Sequence, residues 1–195
     1  MRIITSEATA ELTVKRSRFI AFALIAQDAS QAHDKLVAVK KQHDSATHVV
    51  HAFQVGPAGE VQGMSDDGEP AGTAARPLMD VIRGEELTCV LLAVVRYFGG
   101  TLLGTGGLVR AYGDSARAVL SRCKTEEYIP TSPFSFAADY ATYQSAKLLF
   151  KEYAITNLSE DYGEQVTAQG SIATERKASF AQALKDISRG RILCT

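Results

Sequence analysis

The chain has 195 residues, 46% of them from the set AVILMFWYC and 22% charged, which is the make-up of a globular protein with material for a sizeable core. Lysine and arginine total 21 against 22 acids, a net charge of -1, so a whole-surface electrostatic footprint for nucleic acid is missing. The longest apolar run, residues 89–95, is far short of the ~18 residues of a membrane span. The opening MRIITSEATAEL carries acids where an export signal would be apolar. Cys89, Cys123 and Cys194 are odd in number and form no CxxC pair. A cytoplasmic, reducing setting is expected, with no membrane partner.

In chain order, residues 18–25 (RFIAFALI) read as a strand. Residues 30–43 place Ala32, Leu36, Val39 and Lys40 near helical spacing, with Asp28 or Ser30 as the cap. Residues 47–55 (THVVHAFQV) look like a second strand, on which His48 and His51 point to opposite faces. Thr73 is placed to cap a short helix ending at Arg83, with Pro77 tolerated in its first turn. Residues 87–98 read as a buried strand. Residues 108–122 read as a helix with Leu108, Tyr112, Ser115, Ala116 and Val119 on one face. Pro130 and Pro133 interrupt regular structure, which sets a boundary between domains 1–130 and 131–195. Beyond it come strand 134–139, helix 142–153, strand 154–161, strand 165–173, a helix capped by Thr174 and running to Ile187, and a short strand 191–194. That βαββα(β) order is ferredoxin-like, a fold that assigns no function by itself.

Two segments could carry chemistry. In SDDGEP the Asp67-Gly68 pair marks a turn, and Asp66, Asp67 and Glu69 crowd three carboxylates into four positions beside Ser65, Thr73 and Arg76. This is either a solvated turn, a set of salt bridges, or an oxygen site for a hard cation such as Mg²⁺. The second segment, RYFGGTLLGTGGLVRAY, places Gly99, Gly100, Gly104, Gly106 and Gly107 between a strand and a helix, flanked by Arg96 and Arg110. Glycines there serve close packing, or leave helix N-terminal N–H groups open to an anion. The segment fits neither GxGxxG nor the Gly-Lys-Ser/Thr ending of a nucleotide loop. Lys15, Arg16 and Arg18 form a basic cluster whose ordinary reading is a solvated face.

Together KRSRFIA, ATH, SDDGEPAGTAARP and VVRYFGGTLLGTGGLVRAY resemble the signature blocks of the IMPACT family, most closely its bacterial YigZ-like branch. The resemblance implies a two-domain α+β protein. Its N-terminal α/β domain would have the fold of the second domain of a small-subunit ribosomal protein, and its C-terminal domain would be ferredoxin-like. It also implies a role in translation, since eukaryotic relatives bind a ribosome-associated activator of a stress kinase. Carried over by position, the motifs fall on His48, Ser65, Asp66, Asp67, Gly68, Glu69, Gly72, Thr73, Arg76 and the stretch 96–112. Ala71 stands where serine is common in the family and Ala75 where glycine is common. Val50 and His51 replace what is often a cysteine followed by an aromatic.

The expectation is a regulator of translation, leaning toward a non-enzymatic protein with no cofactor, resident metal or catalytic residue. It would bind RNA, the ribosome or a ribosome-associated protein. Arg76, Arg96 and Arg110 would hold phosphates around a glycine/arginine cleft, with Tyr97 or Tyr112 available for stacking. The rival expectation is a metal-assisted hydrolase of a phosphate-bearing small molecule, in which Asp66, Asp67 and Glu69 hold the ion. A third is a module whose partner docks on the C-terminal unit.

Overall fold

The computed structural model describes all of residues 1–195 and divides into two compact units, Met1–Tyr128 and Ile129–Thr195. In chain order the first unit holds β1 (Arg2–Ile4), β2 (Ala8–Val14), β3 (Ser17–Ile25), α1 (Ala29–Gln42), β4 (His48–Val55) and β5 (Val61–Ser65). It continues with α2 (Ala75–Gly84), β6 (Val90–Tyr97), α3 (Thr105–Leu120) and β7 (Thr125–Glu127). Five strands make an antiparallel sheet in the order β2-β3-β6-β4-β5, while β1 pairs with β7. No helix of the chain is long and apolar enough to cross a membrane.

The central strand explains the layering. Along β6, Val90, Leu92 and Val94 face one apolar cluster with Leu78 and Ile82 of α2 and Tyr112 and Val119 of α3. Leu91, Ala93 and Val95 face a second cluster with Ala32, Leu36 and Val39 of α1. Side chains alternate across a strand, so a strand covered on both faces reads as a continuous apolar run. Each buried valine or leucine contributes about 1.5–3 kcal/mol. The expected buried face of α3 is the observed one, and Asp28 caps α1 by accepting from the Gln31 N–H at 2.8 Å.

Strands β2 and β5 are absent from the sequence reading. Both lie at sheet edges and are largely exposed, so little of their pattern comes from burial. The β2–β3 connection is a two-residue turn, with Val14 paired to Ser17 and positive φ at Lys15 (44°) and Arg16 (69°). Such turns favour Asn-Gly, yet here two basic residues occupy the strained positions.

The second unit holds β8 (Thr131–Ala138), α4 (Tyr140–Glu152), β9 (Thr156–Tyr162), β10 (Val166–Ala173), a 3₁₀ turn (Thr174–Arg176) and α5 (Lys177–Ile187). The sheet order β8-β10-β9 places the last strand between the first two, the split arrangement of a ferredoxin-like unit. Its core joins Phe134 and Phe136 of β8 to Tyr143 of α4 and to Phe180 and Leu184 of α5. Two expectations change. Thr174 opens the 3₁₀ turn, where its hydroxyl pairs with Ser132 Oγ at 2.9 Å, and does not cap α5. The strand expected at 191–194 does not form: after Gly190 (φ 82°) the backbone bonds to β8 are the two that Thr195 exchanges with Ser135.

Candidate functional site

The acidic turn is held by its own side chains. Ser65 Oγ accepts from the Asp67 N–H at 3.2 Å, and Asp67 (φ 47°) and Gly68 (φ 89°) bend the chain back. Asp66 then reaches forward and accepts from the N–H groups of Gly72, Ala74 and Ala75 at 2.8, 3.0 and 2.8 Å. Those donors open α2, whose cap position, Ala74, has no side chain to offer. The expected cap, Thr73, instead donates its hydroxyl to the Pro70 carbonyl at 2.7 Å. The long-range carboxylate wins because it satisfies three donors with a full negative charge at the positive end of the helix.

Burial pulls the Asp66 carboxyl upward, but the donors from Ala75, Gly72 and Ala74 outweigh it and hold its pKa below the ordinary value. A depressed folded pKa stabilises fully above the unfolded value, about 3.9 for aspartate, and that stabilisation disappears as pH falls through the folded value. Asp66→Asn therefore costs about 1–2 kcal/mol near neutrality, the range of a lost helix cap. In urea unfolding followed against pH, the gap between parent and variant closes below about pH 4. A gap that stays constant into acid would remove the charge from this account.

Asp67 faces a different way. Its carboxylate takes Lys40 Nζ at 2.8 Å and the Val49 N–H at 2.7 Å, tying the turn to α1 and β4. Burial opposes its ionisation, and Lys40 with the Val49 N–H brings the pKa below the usual range. The third acid, Glu69, is buried: its Oε1 accepts from Arg96 Nη1 at 2.6 Å and from the Tyr112 hydroxyl at 2.7 Å. Burial, then the bond to Glu69, pushes the Tyr112 phenol far up, so it remains the donor. Three neighbouring carboxylates thus serve three separate sets of partners. No group of three His, Cys, Asp or Glu side chains is disposed to hold a metal ion, so Asp66, Asp67 and Glu69 do not converge on the oxygen site that the Mg²⁺ reading requires.

Two further expectations are corrected by burial. The Arg96 and Glu69 side chains are only 6% and 3% exposed, so Arg96 is no surface phosphate contact. It lies between Phe19 and Phe98, 5.5 Å from each ring centre, and donates to Ser17 Oγ at 3.3 Å. Tyr112 is fully buried and offers no stacking face. Tyr97 points to the α1 side, where its hydroxyl meets His43 Nδ1 at 2.9 Å and Arg18 covers its ring. The exposed aromatic of this segment is Phe98, which the sequence reading passed over although it directly precedes the glycine pair. Ser17 was also missed, and no local pattern marks it.

The glycine-rich loop touches the β2–β3 hairpin. Gly99 donates to Ser17 Oγ at 3.2 Å and lies so near Arg16 that a Cβ would stand 2.0 Å from its carbonyl. Gly100 (φ 79°) and Gly104 (φ 76°) supply left-handed turns, and Gly104 opens α3 without any side-chain cap. Gly106 and Gly107 follow in the first turn of the helix. Exposed Arg110 shares a groove between α2 and α3 with Gly106. Arg76 is 74% exposed and lies 3.9 Å from Asp80.

The acidic turn and the glycine-rich loop do meet, at a cavity of about 470 Å³. His48, Glu69, Arg96 and Gly104 line it together with apolar residues, whereas Arg76, Arg110 and Tyr112 do not. His48 stands opposite Arg96 in the sheet register, and its Nδ1 donates to the Asp67 carbonyl at 2.7 Å. His51 lies on the other face of β4, as its spacing requires.

The Impact N-terminal domain matches residues 15–120, and a domain of unknown function, DUF1949, matches residues 136–191. An IMPACT family member of Haemophilus influenzae is 34% identical over 185 residues, covering 94% of this chain and 90% of the relative. The IMPACT family member YigZ of Escherichia coli is 32% identical over 181 residues, covering 92% and 89%. A crystal structure described as that of a hypothetical protein superposes with a TM-score of 0.73 at 31% identity, covering 99% of this chain and 95% of that one.

Proposed function

The chain belongs to the IMPACT family, and from that premise we propose that it regulates translation by binding RNA on the ribosome through the first unit. One observation carries the choice of surface: the basic hairpin tip, Lys15 and Arg16, abuts the glycine-rich loop at Gly99. These exposed cations, with Arg110 farther along α3, take the part that buried Arg96 has no freedom to play. A two-residue turn that spends positive-φ positions on lysine and arginine holds both charges on a short rigid lever. Phe98 beside them offers an exposed ring on which a base can stack.

Such contacts are phosphate contacts, so affinity falls with salt in proportion to the cations engaged. The parent protein should sediment with ribosomes through a sucrose cushion at about 50 mM salt and be released by about 200 mM. Lys15→Ala combined with Arg16→Ala should lower pelleting and flatten the salt slope by about two charges. Failure of the parent to pellet at low salt overturns the reading. Pelleting that is insensitive to salt and unchanged in the Lys15/Arg16 double variant would instead point to a ribosome-associated protein as the partner.

A further inference from the structure

We infer that the outer edge of β9 is a docking site for an extended basic peptide, which adds to the sheet of the second unit as a further strand. The site lies wholly in the second unit and shares no residue with the RNA surface proposed above. β9 pairs with β10 alone, and its backbone makes no bond beyond that ladder, so a row of N–H and C=O groups faces outward unpaired. The opposite edge strand, β8, is met by Thr195. Every residue of β9 except Glu160 is exposed. Glu160 and Tyr162 stand opposite Ala168 and Val166, which are buried under the helices, yet Tyr162 is 52% exposed. The helix layer therefore stops short of this edge. A bulge opposite Gln169–Ser171 and the positive φ of Asn157 (51°) interrupt the start of the strand, so regular pairing runs over Ser159–Tyr162.

Charge selects the occupant. Residues 160–164 hold Glu160, Asp161 and Glu164, and the only cation paired with any of them is Lys147, whose Nζ lies 3.6 Å from Glu160. Bonds from the Tyr143 and Tyr162 hydroxyls hold the Glu160 carboxyl below its usual range, so it stays charged. Side chains alternate across a strand: Glu160 points to the α4 side, where Tyr143 bonds it, and Asp161 to the opposite face. Two consecutive basic residues on an added strand also point to opposite faces, so each meets one acid. A second copy of this chain would bring its own Glu160 and Asp161 to the same short edge, where like charges oppose pairing.

Two tyrosine rings add a shelf for the cation on the α4 side. Tyr140 and Tyr162 are both half exposed, with ring centres 6.5 Å apart. Their hydroxyls are anchored, Tyr140 to the Gly163 carbonyl at 2.9 Å and Tyr162 to Glu160 Oε2 at 2.8 Å. Rings held in this way lose little freedom on binding, and their faces attract a cation. The chain's own Lys147 already uses that attraction: its Nζ lies 5.1 Å from the Tyr143 ring centre.

The test is a nitrogen-proton NMR titration of the full chain with the end-capped peptide Thr-Val-Arg-Lys-Val-Thr, alongside a counterpart with two glutamates at its centre. The basic peptide should shift the amide signals of Ser159, Glu160, Asp161 and Tyr162 saturably, and the acidic one should not. Two further peptides carry a methyl on the backbone nitrogen of the arginine or of the lysine. Neighbouring N–H groups of a strand point to opposite edges, so one of the two should bind as the unmethylated peptide does and the other about tenfold weaker. Asp161→Lys alters an exposed residue outside the Glu160 network; it should keep the thermal stability and lower the affinity about tenfold. Lys15→Ala combined with Arg16→Ala should bind the peptide as the parent does, which separates this edge from the RNA surface. The inference is overturned if the basic peptide gives no saturable shift up to about 1 mM, if the acidic peptide binds equally, if both methylated forms bind alike, or if Asp161→Lys binds as the parent does. Shifts of the β9 signals with protein concentration alone would put a second copy on this edge and overturn it as well.

Discussion

Replacing Glu69 by alanine should destabilise the first unit by about 3–5 kcal/mol, the cost of breaking a buried ion pair from one side. Glu69 Oε1 takes both the Arg96 and the Tyr112 donor, and all three side chains are buried. Without it, the Arg96 cation keeps only the 3.3 Å bond to Ser17 and its two aromatic neighbours in a water-poor place. Tyr112→Phe removes one hydroxyl donor to a charged acceptor and should cost less, about 1.5–3 kcal/mol. The two losses should not add, because both variants act on the same carboxylate oxygen. Native-state hydrogen exchange at the Leu92 and Val94 amides reports on β6 and so on this unit alone. A Glu69→Ala loss below about 1 kcal/mol would mean that Arg96 is hydrated and the pair is not truly interior.

Gly99→Ala should be the most damaging single methyl addition in the glycine-rich loop. The new Cβ would stand 2.0 Å from the carbonyl carbon and oxygen of Arg16 and 2.5 Å from the Ser17 nitrogen. These are backbone atoms of a tight hairpin, so neither side yields by a rotamer change, and the loop must lift. Lifting breaks the Gly99 bond to Ser17 Oγ at 3.2 Å and strains the neighbouring Phe98 bond to Thr47 Oγ1 at 3.0 Å. A cost of about 1–3 kcal/mol is expected, as for overpacking elsewhere. The same change parts the basic hairpin from the loop, so ribosome pelleting should fall. Gly106→Ala is the control: nothing lies within 4 Å of its Cβ position and the residue is helical. It should raise stability by about 0.4–1 kcal/mol. Matching denaturation midpoints for the two alanine variants would dismiss the close approach at Gly99 as the reason for that glycine.

The contrast between these glycines marks where local pattern ends. All five stand in one stretch, and composition treats them alike. One is required by a hairpin more than 80 positions earlier in the chain, two by left-handed φ, and Gly106 by no contact at all. Arg96 shows the same division. It shares the strand phase of Leu92 and Val94, a hint that it points toward α2 and α3. Its partner, 27 residues away on a turn, is not implied by that phase.

What the chain determined on its own were the features set by near neighbours: the doubly buried run of β6, the apolar face of α3, the Asp67-Gly68 bend, the βαββα order after Pro130, and the motif blocks that mark the family. Alternation, helical period and backbone sterics act over a few residues, so those features can be read in one dimension. Tertiary structure decided which carboxylate caps α2, which arginine is sealed inside and which stay in water, and that two distant motifs enclose one cavity. Those outcomes depend on burial and charge pairing between residues brought together only by sheet register, and a pairing energy exists only once the partner has arrived.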